Sequence, residues 1–190
     1  MTTIWPNVFS GCVSLTSIII PNSVTEIGST VFRGCMSLEE IVVESGNSIY
    51  DSRENCNAII QSADNKLIVG CKITVIPNSV TSIGRGAFSG HSEITSITLA
   101  NNITAIEANA FIDCELKSVF ALCTSLKFVE DAFSKATINH AVLYVPEGKR
   151  WEAIYHGGWY RFVNIRETAI DANNLVGKAY SLMNAETCGF

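Results

Sequence analysis

The chain has 190 residues, 47% hydrophobic and only 16% charged residues, and a formal charge of −5. This length is typical of one domain or slightly more, and the hydrophobic share excludes a wholly disordered chain. The acidic balance, with Lys and Arg scattered, argues against a nucleic-acid partner. No apolar run reaches the roughly 18 to 20 residues of a membrane-spanning segment. We therefore expect a protein with an ample core and a surface rich in Ser, Thr and Asn.

The first residues, Met1 to Asn7, contain neither the basic stretch nor the apolar stretch of a secretory signal peptide. We therefore expect either an intracellular protein or a fragment of an exported precursor. The odd number of cysteines argues against a complete disulfide framework, and their spacing matches no zinc or redox motif. The cysteines are Cys12, Cys35, Cys56, Cys71, Cys114, Cys123 and Cys188.

A block of about 23 residues recurs along the chain. Phe9 and Phe32 are 23 residues apart, as are Phe88 and Phe111, and Phe133 follows after 22. One such repeat, here termed a coil, cannot bury its apolar side chains alone, so we expect consecutive coils to stack. Equivalent residues of successive coils should then form continuous columns.

Within a coil, Ile18 and Ile20 alternate with other residues, which predicts a short strand with one face directed inward. Pro21 should end that strand because proline lacks the N–H that a ladder needs. A second short extended segment is expected near Ile27, while Phe32 and Cys35 should fill the back of the core. Stacked coils would pair these strands in parallel.

An insertion of ten residues lengthens one coil, over about residues 44–77. Ala58–Gln61 and Lys66–Val69 flank a turn-favouring run and predict a hairpin. The acidic residues Asp51, Glu54 and Asp64 raise the alternative of a calcium loop. Their spacing lacks the ligand pattern of an EF-hand, so a solvated loop is the favoured interpretation.

The recurring block, clearest from Ile76 through Pro77-Asn78-Ser79-Val80 to Phe88, resembles the BspA-like leucine-rich repeats over residues 2–166. The resemblance implies a leucine-rich repeat solenoid of the α/β type, mostly β with short turns and 3-10 segments and a parallel concave sheet. It also implies a small C-terminal capping module. We expect a solenoid over 1–140, the capping module (hereafter the closing module) over 141–166, and a tail of unknown role over 167–190.

One repeat position is occupied by Cys12, Cys35 and Cys114, and by His91 in the remaining copy. A column of buried small side chains is the favoured interpretation, since free cysteine is among the most buried residue types. The alternative, a reactive thiol or a Cys–His dyad, requires a base within hydrogen-bond reach. We expect these thiols to resist alkylation in the folded chain.

Strand residues that lie between the inward positions should point out of the sheet. Most members of one such column are apolar, and contiguous exposed apolar patches mark interaction sites. The competing explanation is that β-branched residues simply favour strands. The candidate binding residues are Ser17, Ile19, Glu40, Val42, Val75, Ser96, Thr98 and Phe120, in two columns that also include Ile73 and Ser118.

The closing module begins with a segment whose spacing predicts a short helix over 146–155, with Trp151, Ile154 and Tyr155 on one side. Trp159 and Phe162 should then cover the last coil. We favour a core-covering role for the aromatic cluster, and a platform that stacks on glycans is the alternative. Further along, residues 174–184 are compatible with a weak helix.

The sequence contains no phosphate loop, paired-carboxylate constellation or nucleophile elbow. We therefore predict no catalytic residue, no metal and no cofactor. The family resemblance implies a cell-surface or secreted adhesion module that binds a protein or glycan through its concave sheet. The alternative is a cytoplasmic interaction scaffold. End-to-end self-association is also expected to be feasible, because an open strand edge is a pairing surface.

Overall fold

The computed structural model describes residues 1–123, 126–128, 131–156 and 158–169. The regular secondary structure of the described chain is mostly strand, with few helices, and the helix expected at 174–184 lies outside the described residues. The strands are β1 (Thr3–Ile4), β2 (Ser17–Ile20), β3 (Glu26–Ile27), β4 (Glu40–Val43), β5 (Tyr50–Asp51), β6 (Ala58–Gln61), β7 (Lys66–Gly70), β8 (Ser82–Ile83), β9 (Ser96–Leu99), β10 (Ala105–Ile106), β11 (Ser118–Ala121), β12 (Lys127–Phe128), β13 (Val142–Pro146) and β14 (Asn164–Thr168). The helices are α1 (Lys135–His140) and α2 (Arg150–His156), with 3-10 turns at Arg53–Asn55 and Gly158–Arg161.

Equivalent strands of successive coils pair in parallel. β2 pairs with β4, and β9, β11, β13 and β14 form a four-stranded sheet in that order. In β2 the inward residue Ile20 is fully buried, and the strand ends immediately before Pro21 as predicted. In β9 the inward pair is Ile97 and Leu99, both buried. The alternation read from the sequence therefore gives the observed inward and outward faces.

A second set of two-residue strands follows the first in each coil. β1 pairs in parallel with β3, placing Ile4 beside Ile27, and β8 pairs with β10, placing Ile83 beside Ile106. These apolar residues point into the core, where Ile4, Ile83 and Ile106 are buried. The extended segment expected at Ile27 is confirmed.

Phenylalanine side chains at the back of the coils form two separate stacks. Phe9 lies parallel to Phe32 with 5.3 Å between ring centroids. Phe88, Phe111 and Phe133 form a second stack with centroid separations of 5.1 and 5.0 Å. This spacing follows from one side chain per coil, since stacked coils lie about one strand spacing apart. The interruption between the two stacks coincides with the insertion.

The predicted hairpin is present: β6 and β7 pair antiparallel, with a register shift between Ile59 and Ile60. This insertion hairpin separates two hydrophobic clusters. Ile59 and Val69 belong to the cluster on its N-terminal side, whereas Ile60 and Leu67 belong to the cluster on the other side. Both faces are buried, which explains the continuous apolar run in β6, because a strand exposed on one face would alternate.

The expectation of a sheet strand at Ile73 and Val75 is wrong. The segment holds no strand, and the β2–β4 pair and the four-stranded sheet are therefore separate. Thr74 explains the difference, since its Oγ1 donates to Asn57 O at 2.6 Å and accepts from the Cys71 N–H at 2.7 Å. A threonine side chain that is hydrogen-bonded to the backbone competes with the backbone hydrogen bonds between paired strands.

At the back of the molecule the coils on either side of the insertion contact each other directly. Arg33 Nε donates to Ser89 Oγ at 3.2 Å, and Arg33 forms an ion pair with Asp113 at 2.6 Å. A Cβ on Gly90 would lie 2.9 Å from the backbone nitrogen of Gly34, and Gly90 has a positive φ of 78°. Glycine is needed here because the backbones approach too closely for a side chain.

The last coil is covered by Trp159 and Phe162, which are buried as predicted. Both rings pack on Phe133, and Trp159 Nε1 donates to Cys123 O at 2.9 Å. A buried indole whose N–H is satisfied combines apolar burial with a fixed orientation. Helix α1, which the sequence does not predict, precedes this region with Ser134 as its N-cap.

Candidate interaction surface

The outward side chains of the four-stranded sheet form the first candidate surface, here termed the four-strand face. The register places Ser96 beside Ser118 and Thr98 beside Phe120 on neighbouring strands. The same register places Phe120 beside Tyr144. Their rings are parallel within 12° and 4.8 Å apart, and both side chains are partly exposed. Aromatic pairs directly opposite one another stabilise a sheet and leave an apolar ridge on its surface.

The outward side chains of β2 and β4 form a second surface, the two-strand face. Ser17 is paired with Glu40, and Ile19 with Val42. Ile19 is 61% exposed and Val42 is 36% exposed. The prediction that these apolar side chains face solvent is therefore confirmed.

The eight candidate residues do not form one continuous column. Four of them lie on the two-strand face and three on the four-strand face. Val75 is 46% exposed but belongs to the segment without a strand, where its N–H donates to Cys56 O. The insertion therefore divides the predicted binding surface in two.

The candidate residues leave out part of the four-strand face, including Tyr144 and Arg166. Tyr144 extends the row beside Phe120, and Arg166 lies beside Tyr144 on β14. The signal available was the alternation of Leu143 and Val145 around Tyr144, which repeats the pattern around Phe120. The closing module thus continues the sheet of the coils instead of only covering their end.

The column of cysteines is buried except at its first member. Cys35, His91 and Cys114 are buried, whereas Cys12 is exposed, so the expectation of a protected Cys12 thiol is wrong. A side chain at this position is covered through contacts with neighbouring coils, as for Cys35 and Cys114. The Cys35 thiol donates to Phe9 O of the preceding coil at 3.0 Å, and Cys114 makes the equivalent bond to Phe88 O.

The buried thiols are poor nucleophiles. Burial raises the pKa of Cys114 to about 12 and that of Cys56 to about 11, so both are protonated at neutral pH. The nearby imidazole of His91 is engaged elsewhere, since its Nδ1 lies 2.8 Å from Glu93 Oε1. This geometry favours the packing interpretation of the column over a Cys–His dyad.

Two of the three acidic residues considered in the insertion, Asp51 and Asp64, form ion pairs, and Glu54 is exposed. Arg53 Nε donates to Asp51 Oδ1 at 2.7 Å and Ser62 Oγ donates to Asp51 Oδ2 at 2.6 Å. Although burial raises the pKa of Asp51, these hydrogen bonds hold it below its usual value. Asp64 lies 3.6 Å from the Lys66 ammonium. Within the described residues no group of three or more His, Cys, Asp or Glu side chains is arranged to hold a metal ion.

The predicted helix of the closing module is α2, but two of its aromatic residues do not cover the core. Trp151 is 68% exposed and Tyr155 is 71% exposed, while Ala153 is the fully buried residue between them. The expectation that these two rings cover the last coil is therefore wrong. Trp159 and Phe162 already fill that position.

Three solved structures of bacterial proteins are similar to this chain to different degrees. A leucine-rich cell surface protein of Faecalibacterium prausnitzii matches with a TM-score of 0.56 at 21% identity, over 90% of this chain and 52% of that one. The pneumococcal vaccine antigen PcpA matches with a TM-score of 0.47 at 15% identity, over 90% of this chain and 60% of that one. A leucine-rich repeat protein of Eubacterium ventriosum gives 0.43 at 18% identity, over 82% and 50%. The chain thus spans between half and three fifths of these proteins.

Comparison of the sequence with curated proteins gives no significant match. None of the helices in the described residues has the length and apolar character needed to cross a bilayer. The model of the BspA type leucine-rich repeat region matches six copies, over residues 2–139 and 62–164. These matches cover most of the chain and agree with the 23-residue offset of its paired strands. The chain therefore belongs to the BspA-type leucine-rich repeat family.

Proposed function

We propose that the chain is a non-enzymatic binding module of a cell-surface or secreted leucine-rich repeat protein, with a role in adhesion. Its coils stack into one solenoid over 1–140, closed by the module at 141–166, and the outward strand faces lie on the concave side. A protein or glycan partner is bound there. Stacked coils of this kind commonly bind partners through an extended sheet surface.

One observation carries this proposal. A row of outward residues crosses four hydrogen-bonded strands and consists of Thr98, Phe120, Tyr144 and Arg166. Phe120 and Tyr144 are not required to fill the core, because the inward residues of the same strands, Val119 among them, are buried without them. Two stacked rings on a rigid sheet provide apolar contact area with little loss of side-chain entropy on binding. Aromatic anchors of this type dominate the energetics of many interfaces.

Family membership supports the same proposal. Leucine-rich repeats of this type are generally repeat scaffolds that interact with proteins. The similar solved structure from Faecalibacterium prausnitzii is described as a cell surface protein. Burial raises the pKa of the Cys35 and Cys114 thiols, which gives no support to nucleophilic chemistry at the cysteine column.

The test is a binding screen of the purified chain against immobilised matrix proteins and glycans, followed by substitution of Phe120. We expect Phe120→Asp to weaken binding of any ligand found by at least tenfold, since it places a charge in the apolar ridge. Val13→Asp is the matched control, because Val13 is 54% exposed in a turn outside both strand faces. Circular dichroism would verify that both variants are folded.

Tyr144→Ser provides a second, milder change on the same row. Equal binding by the wild-type chain, Phe120→Asp and Tyr144→Ser would contradict the proposed role of the four-strand face. Loss of binding in Val42→Asp but not in Phe120→Asp would instead assign the ligand to the two-strand face.

A further inference from the structure

The closing module exposes an aromatic pair that serves neither the core nor the four-strand face. Trp151 and Tyr155 are four residues apart on α2 and therefore lie on one side of the helix. Their ring centroids are 5.6 Å apart with 20° between the planes. Carbon atoms in contact are about 3.5 to 4.0 Å apart, so the two rings are displaced sideways and overlap only in part. Each ring can therefore keep much of one face open, in agreement with exposures of 68% and 71%.

Folding does not explain this pair. Helix α2 is attached through Ala153, which is fully buried, and through the Arg150 N–H, which donates to Glu167 Oε1 on β14 at 3.1 Å. The end of the core is covered by Trp159 and Phe162. Exposing two large aromatic side chains sacrifices the free energy that their burial would contribute.

The size of the pair decides between classes of ligand. A fully buried aromatic side chain contributes about 150 to 250 Å² of contact area, so two rings supply at most about 500 Å². A stable protein interface needs about 800 Å² from each partner. The pair is therefore too small to be a protein interface by itself, but it is large enough for one or two sugar rings.

The chemistry around the rings fits the same ligand. Lys149 and Glu152 form an ion pair of 2.6 Å next to Trp151, and Arg150 is exposed beside it. These groups can donate to and accept from hydroxyl groups, and hydrogen bonds to charged groups are the stronger ones. The faces of aromatic rings carry negative charge density, which attracts the slightly positive C–H groups of a sugar.

We propose that Trp151 and Tyr155 form a saccharide-binding site for chains of gluco-configured pyranose rings. In such a ring all hydroxyl groups can be equatorial, so that each face presents axial C–H groups to a flat aromatic side chain. The hydroxyl rim then reaches Lys149, Arg150 and Glu152. This site is separate from the four-strand face, and neither site depends on the other.

Tryptophan fluorescence tests the site without altering it. The chain has three tryptophans: Trp5 is 70% exposed, Trp159 is fully buried, and Trp151 belongs to the pair. In a Trp5→Phe variant, titration with cellohexaose or with a chitin hexamer should shift the emission of Trp151 to shorter wavelength in a saturable manner. Emission that stays unchanged up to the solubility limit of both oligosaccharides would overturn the proposal.

Titration calorimetry on substituted chains provides the second readout. Trp151→Ala should weaken oligosaccharide binding by at least about tenfold, and Tyr155→Ala by several-fold. Tyr160→Ala is the matched control, because Tyr160 is an aromatic residue of the closing module that is 58% exposed and lies outside the pair. Trp151→Phe, which keeps a ring, should retain part of the affinity.

Each remaining result has a defined meaning. Undiminished oligosaccharide binding by Trp151→Ala would overturn the assignment to this pair. A change in the sedimentation coefficient of Trp151→Ala would show that the pair contacts a second copy or another segment of the chain, which also contradicts a saccharide site. Loss of oligosaccharide binding in Phe120→Asp but not in Trp151→Ala would transfer the ligand to the four-strand face and leave the proposed function intact.

Discussion

The two hydrophobic clusters on either side of the insertion hairpin are built from the same repeat, yet the same position is buried to different degrees in them. Phe9 and Phe88 are equivalent residues, but Phe88 is fully buried whereas Phe9 is only partly buried. Phe88 is the first ring of a stack that continues through Phe111 to Phe133 and ends under Trp159. Phe9 belongs to a shorter stack, which consists of Phe9 and Phe32.

This difference shows that burial in a repeat protein is a property of the neighbouring coils and not of the repeat position alone. The cysteine column follows the same rule, since Cys12 is exposed and its equivalents Cys35 and Cys114 are buried. Stability in such proteins is approximately a sum of terms for each coil and for each contact between neighbours. Substitutions at equivalent positions on the two sides should therefore have unequal effects.

The largest difference is expected in thiol reactivity. At pH 8, iodoacetamide should modify Cys12 quickly and leave Cys114 unmodified in the folded chain. The pKa of Cys114, raised by burial to about 12, leaves very little thiolate at this pH, roughly a thousandfold less than for an ordinary cysteine. Peptide mass spectrometry after a timed reaction gives the rate for each residue.

The control is the same reaction in concentrated guanidinium chloride, where both thiols should react at similar rates. The same group affects folding, because the pKa of Cys114 is higher in the folded chain than in the unfolded chain. Its contribution to the free energy of unfolding is fully present below the unfolded-state pKa and is lost as the pH rises through the folded-state pKa. Similar alkylation rates for Cys12 and Cys114 in the folded chain would contradict the burial of Cys114.

Truncation of equivalent phenylalanines should separate the two clusters in stability. Phe88→Ala is expected to lower the free energy of unfolding by about 3 to 5 kcal/mol, because it leaves a cavity in a closed stack. Phe9→Ala should cost about 1 to 2 kcal/mol, since the side chain is already partly exposed. Urea denaturation followed by circular dichroism measures both. Equal losses would remove the basis for the comparison.

Gly11 and Gly90 occupy the same repeat position in different coils, and we expect them to tolerate substitution by alanine to different degrees. Gly11 and Gly90 both have positive φ, of 75° and 78°, but an added Cβ meets nothing within 4 Å at Gly11. Gly11→Ala should therefore cost about 1 to 2 kcal/mol from backbone strain alone. Gly90→Ala should cost about 2 to 4 kcal/mol, because the new Cβ also meets the Gly34 backbone. A thermal denaturation series of the two variants isolates the contact across the insertion.

Much of the fold could be predicted because the same pattern of apolar and turn-forming residues occurs in several repeats. The strand around Ile18 and Ile20, its end at Pro21, and the hairpin at 58–69 follow from apolar alternation and turn residues. Burial of Trp159 was also predictable, since an open core end needs a large apolar cover. These features depend on local residue types, which a sequence displays directly.

The remaining features depend on contacts that periodicity does not encode. Thr74 replaces a strand by bonding to Asn57, which no pattern of apolar residues predicts. The helical spacing of Trp151 and Tyr155 places both rings on one side of α2, but the sequence does not indicate that the other side is the one attached to the core. For the candidate site, the sequence marks the closing module as a separate unit and therefore does not indicate that Tyr144 lies beside Phe120.

The direct contact between Arg33 and Ser89 has a geometric consequence for the relation between the two outward strand faces. The insertion hairpin adds thickness between the two coils on the strand side, whereas their backs remain in contact through Gly34 and Gly90. An insertion that thickens one side alone acts as a wedge and turns the direction in which subsequent coils stack. The length of the hairpin would then set the angle between the two-strand face and the four-strand face.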